Sequence, residues 1–302
     1  MRTFAVHNHQ GKATGLIGAL VMAGWNLVDG LSSRADVLLI DHDGTPYYRD
    51  IINQVNAKKT VLFQHGAESF VTYDGLYEAN PRTDAMLVQP PMAKTILQEI
   101  NYPKPVYVTG WYWTEVKPLE VPEGRKTIFA PLHPRNDGTR CTWKQNANNH
   151  VFSQLIKQGE RFTCRYIGDL YRNGLYDHPL VDFEKATAET MIPDILRHDL
   201  IVSSGTFAHL AVALGKAVVM YGQDHIPTDD RGLETDDHWD DYAAKLRYPF
   251  CFEGFDDDAE RVISEAVRNK KVRQEWRDRW IGKQLNPWRL SETLERICHA
   301  DL

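Results

Sequence analysis

Cysteine is scarce and unpatterned in this sequence: Cys141, Cys164, Cys251 and Cys298 are the only four, and no two form a CxxC pair. That excludes a zinc ribbon or a disulfide scaffold, and a reducing, cytoplasmic setting is expected. Long hydrophobic runs are missing as well. The longest charge-free stretches, Ala13 to Val28 and Ile201 to Gly215, are too short and too broken by Gly or Ser to cross about 30 Å of hydrocarbon, so no membrane span is expected. The first of them imitates a signal-peptide core behind Arg2 and Lys12, but Thr3 to His9 already reads as a strand and leaves no short cationic leader. Net positive charge is lacking too. A formal charge of −6 argues against a chain that coats nucleic acid or anionic membrane over its whole surface. Neither the 20 Gly nor the 15 Pro are concentrated enough for a fibre or a disordered chain.

What is present is 302 residues with 42% hydrophobic and 25% charged side chains, the balance of a globular protein with room for about two domains. Apolar runs that read as buried strands alternate with segments of helical period, the α/β signature. In the first round the strands are Thr3–His9, Ala35–Ile40, Thr60–Gln64, Ala85–Val88 and Val106–Thr109, with helices over Ala13–Gly24, Tyr47–Asn56 and Met92–Ile100. Between Thr114 and Lys126, two prolines and a glycine without apolar period read as a linker. A second round follows, with strands Thr127–Pro131, Thr163–Ile167, Leu200–Ser203 and Ala217–Tyr221. Its helices are Asn149–Gly159, Ala188–Arg197, Thr206–Leu214 and Asp257–Asn269, and Trp288–Ala300 is a final helix. Two Rossmann-like domains are expected, residues 1–117 and 126–285, with 286–302 returning to the first and a ligand cleft at the strand carboxyl ends.

Three segments carry chemistry. In Asp199 to Gly222 a buried strand ends in Ser203-Ser204-Gly205-Thr206 and turns straight into a helix. Backbone N–H groups, hydroxyls and the positive helix end then converge on a point that favours phosphate, although an ordinary N-cap looks the same. Thr60 to Gly66, TVLFQHG, is a strand ending in His65-Gly66. An imidazole there suits the removal of a proton from an attacking hydroxyl near neutral pH. Ile128 to Arg135, IFAPLHPR, is a strand that presents His133 and Arg135, a cation able to meet phosphate or simply to sit in solvent.

Together these segments resemble the GT-B glycosyltransferase superfamily, nearest in motif to CDP-glycerol glycerophosphotransferase-like and UDP-N-acetylglucosamine 2-epimerase-like proteins. The resemblance spans roughly Thr60 to His225. It implies the α/β GT-B fold, two Rossmann-like domains with a final helix crossing back to the first. It also implies that Ser203, Ser204, Gly205 and Thr206, with His133 and Arg135, hold the diphosphate of a nucleotide-activated donor, UDP ahead of CDP or GDP. Leu132 stands where such relatives often carry threonine, so that hydroxyl contact is missing. Asp224 and His225 follow the Ala217–Tyr221 strand, the position of a ribose or sugar contact. His65 becomes the candidate base on the acceptor domain. The resemblance further implies a metal-independent transferase with no cofactor beyond its donor substrate.

Two other readings compete. Val37 to Thr45, VLLIDHDGT, matches by itself the nucleophile motif of haloacid-dehalogenase-like phosphatases, with Asp41 attacking and Asp43 protonating, and Ser203, Lys216 and Asp229 completing the set. A UDP-sugar 2-epimerase-like enzyme would share the donor site and need carboxylates near the sugar. Neither the His7 and His9 pair nor the acidic cluster at Asp236 to Asp241 has the spacing of a dedicated metal site. Charge is finally uneven: Asp224 to Asp241 carries net −7, whereas Arg268 to Arg289 carries net +6 and includes Trp276, Trp280 and Trp288. Such a basic, aromatic run can hold an anionic polymer acceptor, hydroxymethylated DNA or a surface glycan among them, or be a solvated helical face with its tryptophans in the core.

Overall fold

The computed structural model describes residues 2–7, 13–29, 34–41, 46–64, 82–99, 101–123, 127–131, 153–166, 178–185, 190–203, 205–221, 248–252 and 259–300. The chain folds as two compact units, Met1–Val116 with Arg277–Leu302, and Lys117–Trp276. The C-terminal residues Arg277–Leu302 thus share a unit with the N-terminal part of the chain.

Unit 1 is built on a six-stranded parallel sheet. Its strands are β1 (Thr3–His7), β2 (Asn26–Leu27), β3 (Ala35–Ile40), β4 (Ala57–Phe63), β5 (Ala85–Val88) and β6 (Val106–Val108), in the order β2-β1-β3-β4-β5-β6. Strands buried on both faces read as continuous apolar runs, which is why Ala-Asp-Val-Leu-Leu-Ile and Ala-Met-Leu-Val form β3 and β5. Helices α1 (Thr14–Met22), α2 (Pro46–Gln54) and α3 (Pro91–Glu99) connect them.

The last helix of the chain, α8 (Pro287–His299), belongs to this unit. Asn286 caps it by accepting from the N–H groups of Trp288 and Arg289, and Pro287 pre-sets its first turn. Leu290, Leu294 and Ile297 fall on one face and enter the core with Phe4, Leu16, Leu20, Val37, Leu39 and Phe63. Each such aliphatic side chain contributes about 1.5–3 kcal/mol by leaving water. The Trp25 indole N–H donates to Ser291 Oγ at 2.9 Å, pinning the helix in register.

Unit 2 repeats the architecture with β7 (Ile128–Pro131), β8 (Phe162–Tyr166), β9 (Val181–Lys185), β10 (Leu200–Ser203), β11 (Ala217–Tyr221) and β12 (Cys251–Phe252). The sheet is parallel, in the order β12-β11-β10-β7-β8-β9. Its helices include α4 (Met191–Arg197), α5 (Gly205–Ala213) and α6 (Ala259–Arg268), with a helical turn over 153–157. Helix α7 (Lys270–Trp280) carries the boundary between the units.

The described part of the stretch read as a linker is hydrogen-bonded within each unit. The Val116 N–H donates to Gln284 Oε1 at 2.7 Å within unit 1. In unit 2 the N–H groups of Lys117 and Glu120 donate to the carbonyls of Ala213 and Gly215 at 2.8 and 2.9 Å. Lys216 Nζ lies 2.6 Å from the Glu120 carboxylate, and Arg273 donates to the Glu120 carbonyl at 2.6 Å. Proline and glycine remove helical period from this segment without freeing it, because its backbone groups find partners outside it.

Candidate functional site

Strand β10 lies inside its sheet, flanked by β11 and β7, and Leu200 to Ser203 are all buried. Ser203, 3% exposed, ends the strand, and α5 starts at Gly205. The first N–H groups of that helix therefore stand at the carboxyl edge of the sheet without intrahelical partners, where they favour an anion. Packing fixes this end. Phe129 of β7 contacts Phe207 of α5 at 5.8 Å between ring centroids and stacks on His198 at 5.1 Å. His198 is itself held by the Asp194 carbonyl at 2.7 Å and Thr163 Oγ1 at 3.1 Å. The other end of α5 closes in a Schellman turn, with Gly215 N–H on the Val212 carbonyl and Lys216 N–H on the Ala211 carbonyl, both at 3.0 Å.

Of the residues singled out from sequence, Ser203 is described in full and Gly205 and Thr206 by their backbone as the opening turn of α5. His65, His133, Arg135, Ser204, Asp224 and His225 lie outside the described residues. In chain order, His65 follows β4, His133 and Arg135 follow β7, and Asp224 and His225 follow β11, each within a few residues of a parallel strand's carboxyl end.

Unit 1 carries a polar edge that sequence reasoning missed. Asp41, Gln64 and Gln89 follow directly on β3, β4 and β5, and are 0, 1 and 0% exposed. Gln64 Oε1 accepts from the Gln89 N–H at 2.8 Å, and Gln89 Oε1 accepts from the Tyr112 N–H at 3.2 Å. The Tyr112 hydroxyl donates to the Gln64 carbonyl at 2.6 Å. Burial, and secondarily the negative charge of Asp41, hold the Tyr112 phenol well above its usual pKa, so it stays a proton donor. Gln89 Nε2 is buried and has no hydrogen-bond partner among the described residues.

Register sorts these groups. Ile40 pairs with Leu62 and Phe63 with Leu87, so Asp41 and Gln89 share the face of Phe63 and Leu87, while Gln64 belongs to the other. The signal was a repeated one, an apolar run closed by glutamine in Val61-Leu62-Phe63-Gln64 and Met86-Leu87-Val88-Gln89.

Two members of the phosphatase set, Ser203 and Lys216, are not brought together. Within unit 2, Leu200 pairs with Ala217 and Ser203 with Met220, which puts Lys216 and Ser203 at opposite ends of adjacent strands, on the order of 13 Å apart. Lys216 is moreover engaged by Glu120. Asp43 and Asp229 lie outside the described residues. Among the described residues no group of three His, Cys, Asp or Glu side chains is placed to hold a metal, and no helix is long and apolar enough to cross a membrane.

The basic segment separates into buried and exposed parts. Trp276 and Trp280 are 5 and 2% exposed, Arg273 is 2% exposed, and only Trp288, at 61%, faces solvent. Trp276 packs on Tyr248 and His209 at 4.7 and 5.2 Å. Two of the three aromatics that would interleave with cations are therefore core residues.

No protein-family model and no curated protein matches the chain by sequence. Solved structures do match by fold. A Listeria monocytogenes protein assigned as UDP-N-acetylglucosamine 2-epimerase aligns at TM-score 0.54 and 12% identity, over 98% of this chain and 96% of that one. The glycosyltransferase SnogD from Streptomyces nogalater aligns at TM-score 0.53 and 14% identity, over 98% and 99%. A co-structure of S. aureus MnaA with UDP aligns at TM-score 0.53 and 12% identity, over 98% and 95%. At such identities the likeness establishes the fold, two Rossmann-like units of GT-B type with the final helix returning to the first.

Proposed function

We propose that this chain is a metal-independent GT-B glycosyltransferase that moves a sugar or related group from a nucleotide-diphosphate donor, UDP foremost, to an acceptor hydroxyl. The observation that carries the reading is the passage from β10 through Ser203 into the N-terminus of α5, a polar, positively polarised strand end in the second unit. Ser203, Ser204, Gly205 and Thr206, with His133 and Arg135, would neutralise charge on the departing nucleotide, while Asp224 and His225 contact its ribose or sugar. His65, following β4 on unit 1, would take the proton of the attacking hydroxyl. The MnaA structure with UDP supports the choice of nucleotide, since that protein shares the fold.

UDP should raise the melting temperature more than CDP or GDP do, because a ligand bound only by the native state stabilises it. Ser203→Ala should weaken UDP binding about tenfold, the effect of losing one hydrogen bond to a charged group. His65→Ala should keep UDP affinity and lose transfer by roughly 10²–10⁴-fold. A protein whose melting no nucleotide shifts would lose the donor-site assignment. The 2-epimerase likeness makes a second reading concrete, and product analysis with donor alone separates the two: epimerised sugar without acceptor favours it over transfer.

A further inference from the structure

Helix α1, Thr-Gly-Leu-Ile-Gly-Ala-Leu-Val-Met, carries no charged residue and is apolar on nearly every side, a composition that belongs to a helix covered all round. It is covered on one side only. Leu16, Ala19 and Leu20 enter the core of unit 1, while Val21 and Met22 in the last turn are 53 and 69% exposed. Leu27 of β2 adds to them at 51% exposure. It pairs with Phe4, which shares a core with Leu16 and Leu20, so its side chain leaves the sheet on the face that α1 covers. A Cβ on Gly18 or Gly24 would meet nothing within 4 Å, so the end of the helix and the turn after it form a ridge rather than a groove.

Cations surround this ridge. Because β2 runs parallel to β1, α1 returns from the carboxyl to the amino edge of the sheet before β2 begins. Arg2 precedes β1, Arg34 precedes β3 and Lys58 is second in β4. With β2, β1 and β3 adjacent in that order, Arg2 and Arg34 stand roughly 5 and 10 Å from the entry of β2. Where these cations form ion pairs, the cation is the outer partner: Arg2 is 51% exposed against 31% for Glu295, and Lys58 53% against 22% for Asp36. Arg34 is exposed as well. The Lys59–Asp84 pair is mostly covered on both sides, and Asp29 lies beyond β2, toward the opposite edge.

We infer that the last turn of α1, with Leu27, docks on an anionic bilayer, its aliphatic side chains entering the headgroup region while Arg2, Arg34 and Lys58 meet lipid phosphates. A ridge of Val, Met and Leu asks for a partner without fixed shape, which a fluid bilayer supplies, and the surrounding cations select negative charge. Docking through the amino edge leaves uncovered the carboxyl edge, which His65 follows in chain order. The inference stands apart from the transferase reading.

Cosedimentation of the full chain with phosphatidylcholine vesicles, with and without about 30% phosphatidylglycerol, tests it. The protein should pellet with the anionic vesicles and stay in solution with the neutral ones. Raising salt from about 0.1 to about 0.5 M should release most of it, because the Debye length shrinks. Met22→Glu should weaken retention about tenfold or more, the loss of one inserted side chain. Arg34→Glu should weaken it at least about fivefold, the loss of one cation near a charged surface. Both positions are exposed, and circular dichroism checks that each variant folds. Equal retention by neutral vesicles, no retention by anionic ones, or undiminished retention of a folded Met22→Glu protein would each overturn the inference. So would a dimer in sedimentation velocity that Met22→Glu converts to monomer, since the occupant would then be a second copy of the chain. The wild-type comparison of the two vesicle types stands even if a variant misfolds.

Discussion

The two parallel sheets end differently. In unit 2 the edge at β10 consists of a small hydroxyl residue and a helix N-terminus, with an aromatic stack behind it. In unit 1 the corresponding edge is an acid, two amides and a phenol, all buried, with the amides and the phenol joined by hydrogen bonds. One edge has donors waiting for negative charge, whereas the other already holds negative charge and mixes donors with acceptors. The same architecture thus carries two chemically different edges, and strand-end residues, not the sheets, make the difference.

The largest expected effects come from breaking either scaffold through its tightest glycine. A Cβ on Gly215 would lie 2.0 Å from the Pro118 carbonyl oxygen, at a φ of +88° that L side chains avoid. Backbone strain and overpacking of about 1–3 kcal/mol each add there. Gly215→Ala should lose at least about 3 kcal/mol, or fail to fold, and abolish UDP binding. On Gly15 a Cβ would meet the Tyr112 carbonyl oxygen, also at 2.0 Å, but from an ordinary helical φ. Gly15→Ala should cost less, about 1–3 kcal/mol, and leave UDP affinity intact. Urea unfolding with a UDP titration checks the contrast, and equal loss of UDP affinity in the two variants would erase it.

A smaller effect probes the polar edge directly. Tyr112→Phe removes the hydroxyl that donates to Gln64, which costs about 1 kcal/mol at neutral pH. The pH dependence has a definite sign. Because the folded-state pKa of Tyr112 lies well above the usual 10.0, the unfolded chain gives up this proton first as pH rises. The stability contribution is full below pH 10 and drains away above it, so the wild type should lose stability in alkali faster than Tyr112→Phe. Unfolding free energies between pH 8 and 11 decide this, and parallel curves would mean that the phenol is not held as described.

Legibility in the sequence follows the same division between scaffold and edge. Strands β3, β5, β10 and β11 stand at the boundaries read from their apolar runs, since burial on both faces leaves an unbroken hydrophobic signal. The strands that escaped notice, β2, β9 and β12, are edge strands of their sheets. Asn26-Leu27 and Cys251-Phe252 are too short to show a period, and Val-Asp-Phe-Glu-Lys alternates with charge. The β10–α5 turn was readable because its parts are contiguous in sequence. Asp41, Gln89 and Tyr112 were not, because only strand register puts Asp41 and Gln89 on one face and only the fold brings Tyr112 to Gln89. The acid was noticed in a DxDGT string, but two of the partners given to it, Ser203 and Lys216, stand at opposite ends of adjacent strands.

The smallest effects contrast the charged pins near the amino edges of the two sheets. In unit 1, Asp36 accepts from the Thr3 N–H, the Thr3 hydroxyl and Lys58 Nζ at 2.9, 3.0 and 2.6 Å. The Lys58 hydrogen bond, first among these, holds the Asp36 carboxyl below the usual 3.8. Its contribution is therefore present above that pH and lost as pH falls through the lower, folded-state value. Asp36→Asn should cost about 1 kcal/mol at pH 7, because a backbone N–H of the first strand loses a charged partner, and the difference from wild type should shrink in acid. In unit 2 the Arg161–Asp182 pair has good geometry, Nε to Oδ2 at 2.6 Å, but its side chains are 61 and 42% exposed. Exposed pairs repay little of the side-chain entropy they fix, and salt screens them. Arg161→Ala should leave the midpoint of urea unfolding unchanged at 0.5 M salt. A shift as large as that of Asp36→Asn would show that a solvent-exposed ion pair fastens β8 to β9 as firmly as a strand-joining carboxylate fastens β1 to β3.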